Sequence, residues 1–68
     1  MIISQDGKTA VVELKEAQLL NVGADVLLVI NGKTMGKFKN KKFAEDTFQK
    51  LIQFSVSTKK LFEVPADF

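Results

Sequence analysis

The sequence contains no cysteine, no histidine and no arginine, and its only proline is Pro65. Without cysteine there is no disulfide and no thiolate zinc site, and without histidine there is no imidazole ligand or base. Without arginine the chain has no fork of donors that grips phosphate or guanine bidentately, which disfavours sequence-specific reading of DNA. We therefore expect no catalytic residues, no metal and no cofactor, and a protein that is not an enzyme.

Long apolar runs are also missing. The longest run, Val26 to Ile30, is far too short to span a membrane, and the N-terminal residues lack the basic region and apolar stretch of a signal peptide. We therefore expect a cytoplasmic protein made intact from Met1, with no membrane partner.

The 68 residues suffice for one domain, 1–68, and 46% of them are hydrophobic, which favours a folded chain over a disordered one. A domain this small buries only about 60% of its unfolded surface. Because disulfides and metals are excluded, its stability must come from a dense core or from a second subunit.

Turn signals divide the N-terminal two thirds of the chain into short strands. Asp6-Gly7 and Asn31-Gly32 are turn dipeptides, and Gly23 marks a weaker turn. The apolar pattern between them predicts strands at 2–4, 9–14, 19–22, 25–30 and 34–38, with 25–30 central because it lacks polar alternation. Two local structures are compatible with residues 11–20: two strands with a turn near Lys15-Glu16, which we favour, or a short helix.

The C-terminal third predicts a helix and a last strand. Asn40 is a good N-cap, and helical periodicity follows over about 41–55, with Phe48 near the centre of the apolar face. The members of that face are Phe43, Ala44, Phe48, Leu51, Ile52 and Phe54. A strand at 60–64 ends at Pro65, and 66–68 form a tail. The fold class is α+β, an antiparallel meander of four to five short strands with the helix packed on one face and a C-terminal strand.

One segment imitates a phosphate-binding loop. Gly32-Lys33-Thr34 follows an apolar strand, but the loop needs a glycine where Leu27 stands and a helix after the threonine. Because a strand is predicted there instead, we interpret the segment as a hairpin turn.

Half of the ten lysines fall within residues 33–42, where there is no acidic residue. The members of this lysine cluster are Lys33, Lys37, Lys39, Lys41 and Lys42. Strand alternation would place Lys33, Met35, Lys37 and Lys39 on one face, with Phe38 opposite. Lys41 and Lys42 fall in the first helical turn, where the helix dipole disfavours cations by about 0.3–1 kcal/mol. The cluster is a candidate surface for nucleic acid or an acidic partner, and an edge strand that uses lysine against aggregation is the alternative.

Self-association is the second expectation from the pattern. One helix covers only one face of a sheet, whereas Val26 to Ile30 sends apolar side chains to both faces and Val11 points away from Ala10 and Val12. An uncovered apolar face is a candidate interface. We therefore predict a symmetric homodimer that buries this face or a strand edge.

Several short segments carry a resemblance. The opening Ile3-Ser4-Gln5-Asp6-Gly7, the strand end Gly36-Lys37-Phe38, the helix at 40–55 and the closing Phe62-Glu63-Val64-Pro65 together resemble short uncharacterised proteins of low-GC Gram-positive bacteria and their phages and prophages. The resemblance covers most of the chain and implies a phage or prophage origin, but no activity. Lys41 and Lys42 depart from the pattern, because those proteins tend to place acidic residues after the N-cap.

The sequence thus favours a small non-enzymatic interaction protein, acting as a homodimer and of phage or prophage origin. The alternative is a weak, sequence-independent nucleic-acid binder that uses the lysine cluster.

Overall fold

The computed structural model describes residues 1–66, which form six strands and one helix. In chain order the elements are β1 (Ile2–Ile3), β2 (Ala10–Val11), β3 (Ala17–Val22), β4 (Asp25–Ile30), β5 (Lys33–Phe38), α1 (Lys41–Ser55) and β6 (Phe62–Glu63). The predicted α+β class, with one helix and a C-terminal strand, is confirmed. Of the predicted tail, Asp67 and Phe68 lie outside the described residues.

Strands β3, β4 and β5 form an antiparallel meander sheet with β4 in the middle, as predicted. The ladder between β3 and β4 runs without irregularity from Ala17 opposite Ile30 to Val22 opposite Asp25. Asn31 and Gly32 have φ values of 53° and 79°, so the turn after β4 is of type I′, as the Asn-Gly dipeptide predicts. Gly32-Lys33-Thr34 therefore belongs to a hairpin.

A second, smaller sheet contains β1 between β2 and β6. β1 pairs antiparallel with β2 across the turn that contains Asp6-Gly7, and parallel with β6. The strands thus divide between two sheets, and β2 ends at Val11 where the sequence predicts a strand to Leu14.

Residues 12–16 form a loop rather than the alternative helix. The Asn31 side chain fixes this loop, because its Oδ1 accepts hydrogen bonds from the amides of Lys15 (2.8 Å) and Glu16 (3.1 Å). Its Nδ2 donates to the carbonyl of Glu13 (2.7 Å). The residue that makes the type I′ turn therefore also anchors the chain where it enters β3.

The side of β2 that faces the core is the reverse of the one expected. Val11 is buried and Val12 is 82% exposed. The cause is the pairing of Val11 with Ile2, a core residue, since directly paired residues of neighbouring strands share a face. The prediction that Val11 contributes to an uncovered face was wrong.

Helix α1 begins after Asn40, whose Oδ1 accepts a hydrogen bond from the Phe43 amide at 3.1 Å, so the predicted N-cap is confirmed. Its fully buried residues are Ala44, Thr47 and Leu51. Phe48 is only half-buried and Ile52 is 42% exposed, so placing Phe48 at the centre of the buried face was wrong.

Within residues 1–66 no helix has the length and apolar character needed to cross a membrane.

The core lies between α1 and one face of the meander sheet. Five residues of the meander sheet face the core: Val26, Leu28 and Ile30 of β4, and Met35 and Phe38 of β5. The small sheet closes the core with Ile2 and Val11, together with Val64, which directly follows β6. Phe38 is fully buried, and its ring meets that of Phe43 edge-on at 5.5 Å. Phe38 therefore points away from its lysine neighbours, as predicted.

Candidate interaction surfaces

The outer edge of β5 is closed by a residue from the turn that joins β1 and β2. The amide of Gln5 donates to the carbonyl of Met35 (2.7 Å), and the amide of Lys37 donates to the Gln5 Oε1 (3.0 Å). The Gln5 Nε2 donates in turn to the Pro65 carbonyl (3.0 Å). One glutamine thus connects the two sheets and occupies the main-chain groups at which another strand would add.

An irregularity in β5 divides the lysine cluster. The register shifts by one residue between Leu28 and Val29, and Met35 is the extra residue of the bulge, with its side chain in the core. Lys37 pairs with Leu27 on one face of the sheet, whereas Lys33 pairs with Ile30 on the other. The prediction that Lys33 and Lys37 share a face was therefore wrong, because a bulge inverts the alternation beyond it.

The remaining lysines lie where β5 passes into α1. Lys39, Lys41 and Lys42 flank the N-cap and are exposed, and the first turn of α1 contains no acidic residue. Lys37 has a different neighbour, since its Nζ lies 3.5 Å from Oδ2 of Asp25 on β4. The lysine cluster is thus three separate pieces: Lys33, the Lys37–Asp25 ion pair, and the three lysines around Asn40.

The outer edge of β3 is open. β3 is the other edge strand of the meander sheet, and it has no charged residue, no proline and no bulge along its six residues. Within residues 1–66, no backbone hydrogen bond outside the ladder to β4 reaches residues 17–22. Unpaired main-chain groups along such a strand are a ready template for another strand.

The face of the meander sheet opposite α1 carries the outer apolar patch, which contains Leu20, Val22, Leu27 and Val29. Leu20 and Leu27 are paired across the strands, and none of the four residues belongs to the core cluster under α1, but Val29 is buried and Leu27 is half-buried within the patch. Leu20 is 40% exposed and Val22 is 53% exposed. The patch therefore continues onto β3 itself, so an apolar surface and an open edge lie side by side.

A groove lies between the C-terminal half of α1 and β6, with a cavity volume of about 560 Å³. Phe54 and Phe62, whose rings are 5.5 Å apart, and Leu61 give it an apolar lining. Lys50, Lys59 and Glu63 contribute charged side chains.

The Ser4-Gln5-Asp6-Gly7 segment that carries part of the resemblance holds the first hairpin together. The Ser4 hydroxyl donates to Asp6 Oδ1 (2.6 Å) and accepts from the Thr9 amide (3.0 Å), and Asp6 Oδ1 also accepts from the Lys8 amide (3.0 Å). The bond from Ser4, followed by the one from Lys8, lowers the pKa of the Asp6 carboxyl below its ordinary value of 3.8. These contacts give the segment a structural role.

Comparison with known proteins finds no similar family model, curated protein or solved structure. The resemblance to phage and prophage proteins therefore stays a prediction.

Two long-range side-chain roles in this geometry, those of Gln5 and Asn31, carry no signal in the sequence. Gln5 bonds to groups more than thirty positions away in the chain, at Lys37 and Pro65, and Asn31 bonds to a loop that precedes it by fifteen to eighteen residues. Asn31 is visible as a turn residue, but its second role depends on tertiary structure.

Proposed function

We propose that the protein is a non-enzymatic interaction protein of the cytoplasm that works as a symmetric homodimer, of the phage or prophage type that its sequence resembles. The observation that carries the homodimer is the outer apolar patch, which lies beside an open strand edge. Leu20 and Val22 are exposed in the single chain although their side chains are apolar.

Two physical arguments support this proposal. Burial of apolar surface is worth about 25 cal/mol per Å², so a second copy that packs beside Leu20 and Val22 and removes part of their surface from water gains stability that the chain alone lacks. The chain also has neither cysteine nor histidine with which to build a disulfide or an imidazole–metal site. A second subunit is one of the two remaining devices, beside a dense core, by which so small a domain is stabilised.

The test is sedimentation equilibrium at high micromolar concentration. The expected mass is twice the 7.6 kDa of the chain, and Leu20→Glu or Val22→Glu should shift it towards one chain. Val12→Glu is the matched control, because Val12 is an exposed apolar residue in the loop after β2, outside the patch. A wild-type protein that stays a monomer at this concentration contradicts the homodimer.

The three exposed lysines around the N-cap favour a second candidate function, weak binding of nucleic acid or another polyanion. Lys39, Lys41 and Lys42 come together in sequence and in structure where α1 starts, and the net charge of the chain is +2. As point charges they would contact phosphates without reading bases, with dissociation constants of about 10⁻⁴ to 10⁻⁶ M at physiological salt.

This candidate is tested by titration with a short duplex, a single strand and an acidic polypeptide at low and moderate salt. The triple substitution of Lys39, Lys41 and Lys42 by Gln should abolish binding. The matched control replaces Lys15, Lys59 and Lys60 by Gln, which removes the same charge from exposed positions elsewhere. Equal losses in the two variants would show that only net charge matters, and no binding at low salt would remove the candidate.

A further inference from the structure

We propose that β3 pairs antiparallel with β3 of a second copy of this chain, with the two-fold axis beside Leu19, so that two meander sheets join into one. This inference rests on the proposed homodimer and names its interface. Two observations support it: β3 leaves backbone groups unpaired, and the other three edge strands, β5, β2 and β6, are less suited to pairing.

The ladder to β4 fixes which groups of β3 point outward. The carbonyl of Glu16 accepts a hydrogen bond from the Asn31 amide at 2.9 Å, one step beyond the pairing of Ala17 with Ile30. Hydrogen-bonded pairs alternate along an antiparallel ladder, so the even-numbered residues of β3 bond to β4. The amides and carbonyls of Ala17, Leu19 and Asn21 therefore point to the open edge.

Symmetry then restricts the register. When two copies of a strand continue one sheet, residues directly opposite each other must point to the same face of the sheet. Neighbouring residues of one strand point to opposite faces, so the two-fold axis must pass through the position of one residue and cannot lie midway between two residues. With the axis at Leu19, Leu19 faces its own copy and Ala17 faces Asn21 of the second copy, which allows roughly six backbone hydrogen bonds. An axis at Leu20 allows roughly four.

Charge favours β3 over β5 for such self-pairing. A strand that pairs with its own copy across a two-fold axis brings its charges near themselves, and like charges on facing strands are destabilising. β3 carries no charge, whereas self-pairing of β5 would bring lysines together, and Gln5 already occupies β5. β2 and β6, the edges of the small sheet, are two residues long and offer little length for pairing.

The chain contains no cysteine, so introduced cysteines report the register without interference. With the axis at Leu19, Gln18 lies opposite Leu20 of the second copy, at a Cα separation of roughly 4.5 Å, which a disulfide bridges. Two copies of residue 20 are then offset diagonally by roughly 7–8 Å, beyond easy reach. Both side chains are exposed in the single chain, so cysteine is tolerated at either position.

The experiment mixes Gln18→Cys and Leu20→Cys chains, oxidises them mildly and identifies the disulfides by mass spectrometry. We expect the mixed 18–20 disulfide in several-fold excess over the 20–20 disulfide, and none from Val12→Cys, an exposed control in the loop after β2. Equally efficient coupling of Leu20→Cys with itself would overturn the Leu19 register. A dimeric mass with no disulfide at either position would overturn edge pairing alone, whereas a monomeric mass would overturn the homodimer as well.

A second variant removes backbone donors and leaves the side chains of the patch unchanged. Ala17→Pro deletes an edge-facing amide at the first position of β3, where proline is tolerated and the ladder to β4 loses nothing. The fold should persist by circular dichroism while the dimer dissociation constant rises at least several-fold. An unchanged dissociation constant in the folded variant would overturn edge pairing.

Discussion

Strands β3 and β5 are the two edges of one sheet and are equally long, yet their outer sides differ in every respect that governs strand addition. β5 has a bulge at Met35, exposed lysines and main-chain groups already bonded to Gln5. β3 has a regular register, no charge and no partner along its outer side within residues 1–66. These features of β5 are devices by which proteins protect sheet edges.

The presence of lysines on β5 has a structural explanation that requires no ligand. Lys33 and Lys37 lie on opposite faces of a closed edge, and Lys37 is paired with Asp25. That arrangement fits protection of an edge better than a continuous anion-binding surface. By contrast, the absence of protection on β3 favours its use as an interface.

The largest expected effect contrasts a core-facing residue of β5 with an outer-face residue of β3. Phe38→Ala in β5 should lower the free energy of unfolding by about 3–5 kcal/mol, because Phe38 is fully buried and packs on Phe43. Leu20→Ala in β3 should cost less than about 1 kcal/mol in dilute protein, since its side chain is partly in water and outside the core. Urea titrations at low concentration measure both, and equal losses would contradict the contrast.

A smaller effect is expected where β5 touches the small sheet. A Cβ added at Gly36 would lie 2.9 Å from Cγ1 of Val64 and 3.1 Å from the Phe38 ring. Valine is restricted at χ1 and cannot easily turn away, so Gly36→Ala should destabilise the fold by about 1–3 kcal/mol. Thermal unfolding would show this, and a variant as stable as wild type would mean that the two sheets separate easily at this contact.

Removing the residue that closes β5 should have a moderate effect. Gln5→Ala deletes side-chain hydrogen bonds to Lys37 and Pro65, at a cost of about 1–2 kcal/mol. Gln18→Ala on the open edge is the control and should change stability by less than about 0.5 kcal/mol. Equal losses of stability in the two variants would contradict the role of Gln5 in closing the edge of β5.

The sequence predicts the local elements well and the arrangement between them poorly. Asn31-Gly32 and Asn40 are confirmed because turn and cap preferences depend on neighbouring residues. Phe48 was misplaced because Thr47, a polar residue, is buried beside Ala44 and Leu51 and moves the centre of the buried face. For the lysine cluster the sequence predicts exposure, but not the bulge that divides it, since a bulge depends on pairing with β4.

The smallest expected effect is a pH dependence at the hairpin next to Gln5. The pKa of Asp6 is lowered by its bonds from Ser4 and Lys8, so its contribution to stability is present above the ordinary value of 3.8 and is lost as the pH falls through the lowered value. Asp6→Asn should remove this part of the acid sensitivity. Urea titrations from neutral pH to below about pH 4 compare the two proteins, and identical pH profiles would contradict the role given to Asp6.

Amide hydrogen exchange at Leu19 and Lys37 compares the two edges most directly. The Lys37 amide donates to Gln5 within the single chain, so its protection should be the same at every protein concentration. The Leu19 amide points to the open edge, so it should exchange freely in dilute protein and become protected as the concentration rises. Protection of Leu19 in the monomer, or free exchange of Leu19 in a proven dimer, would contradict the account of an open edge that pairs with itself.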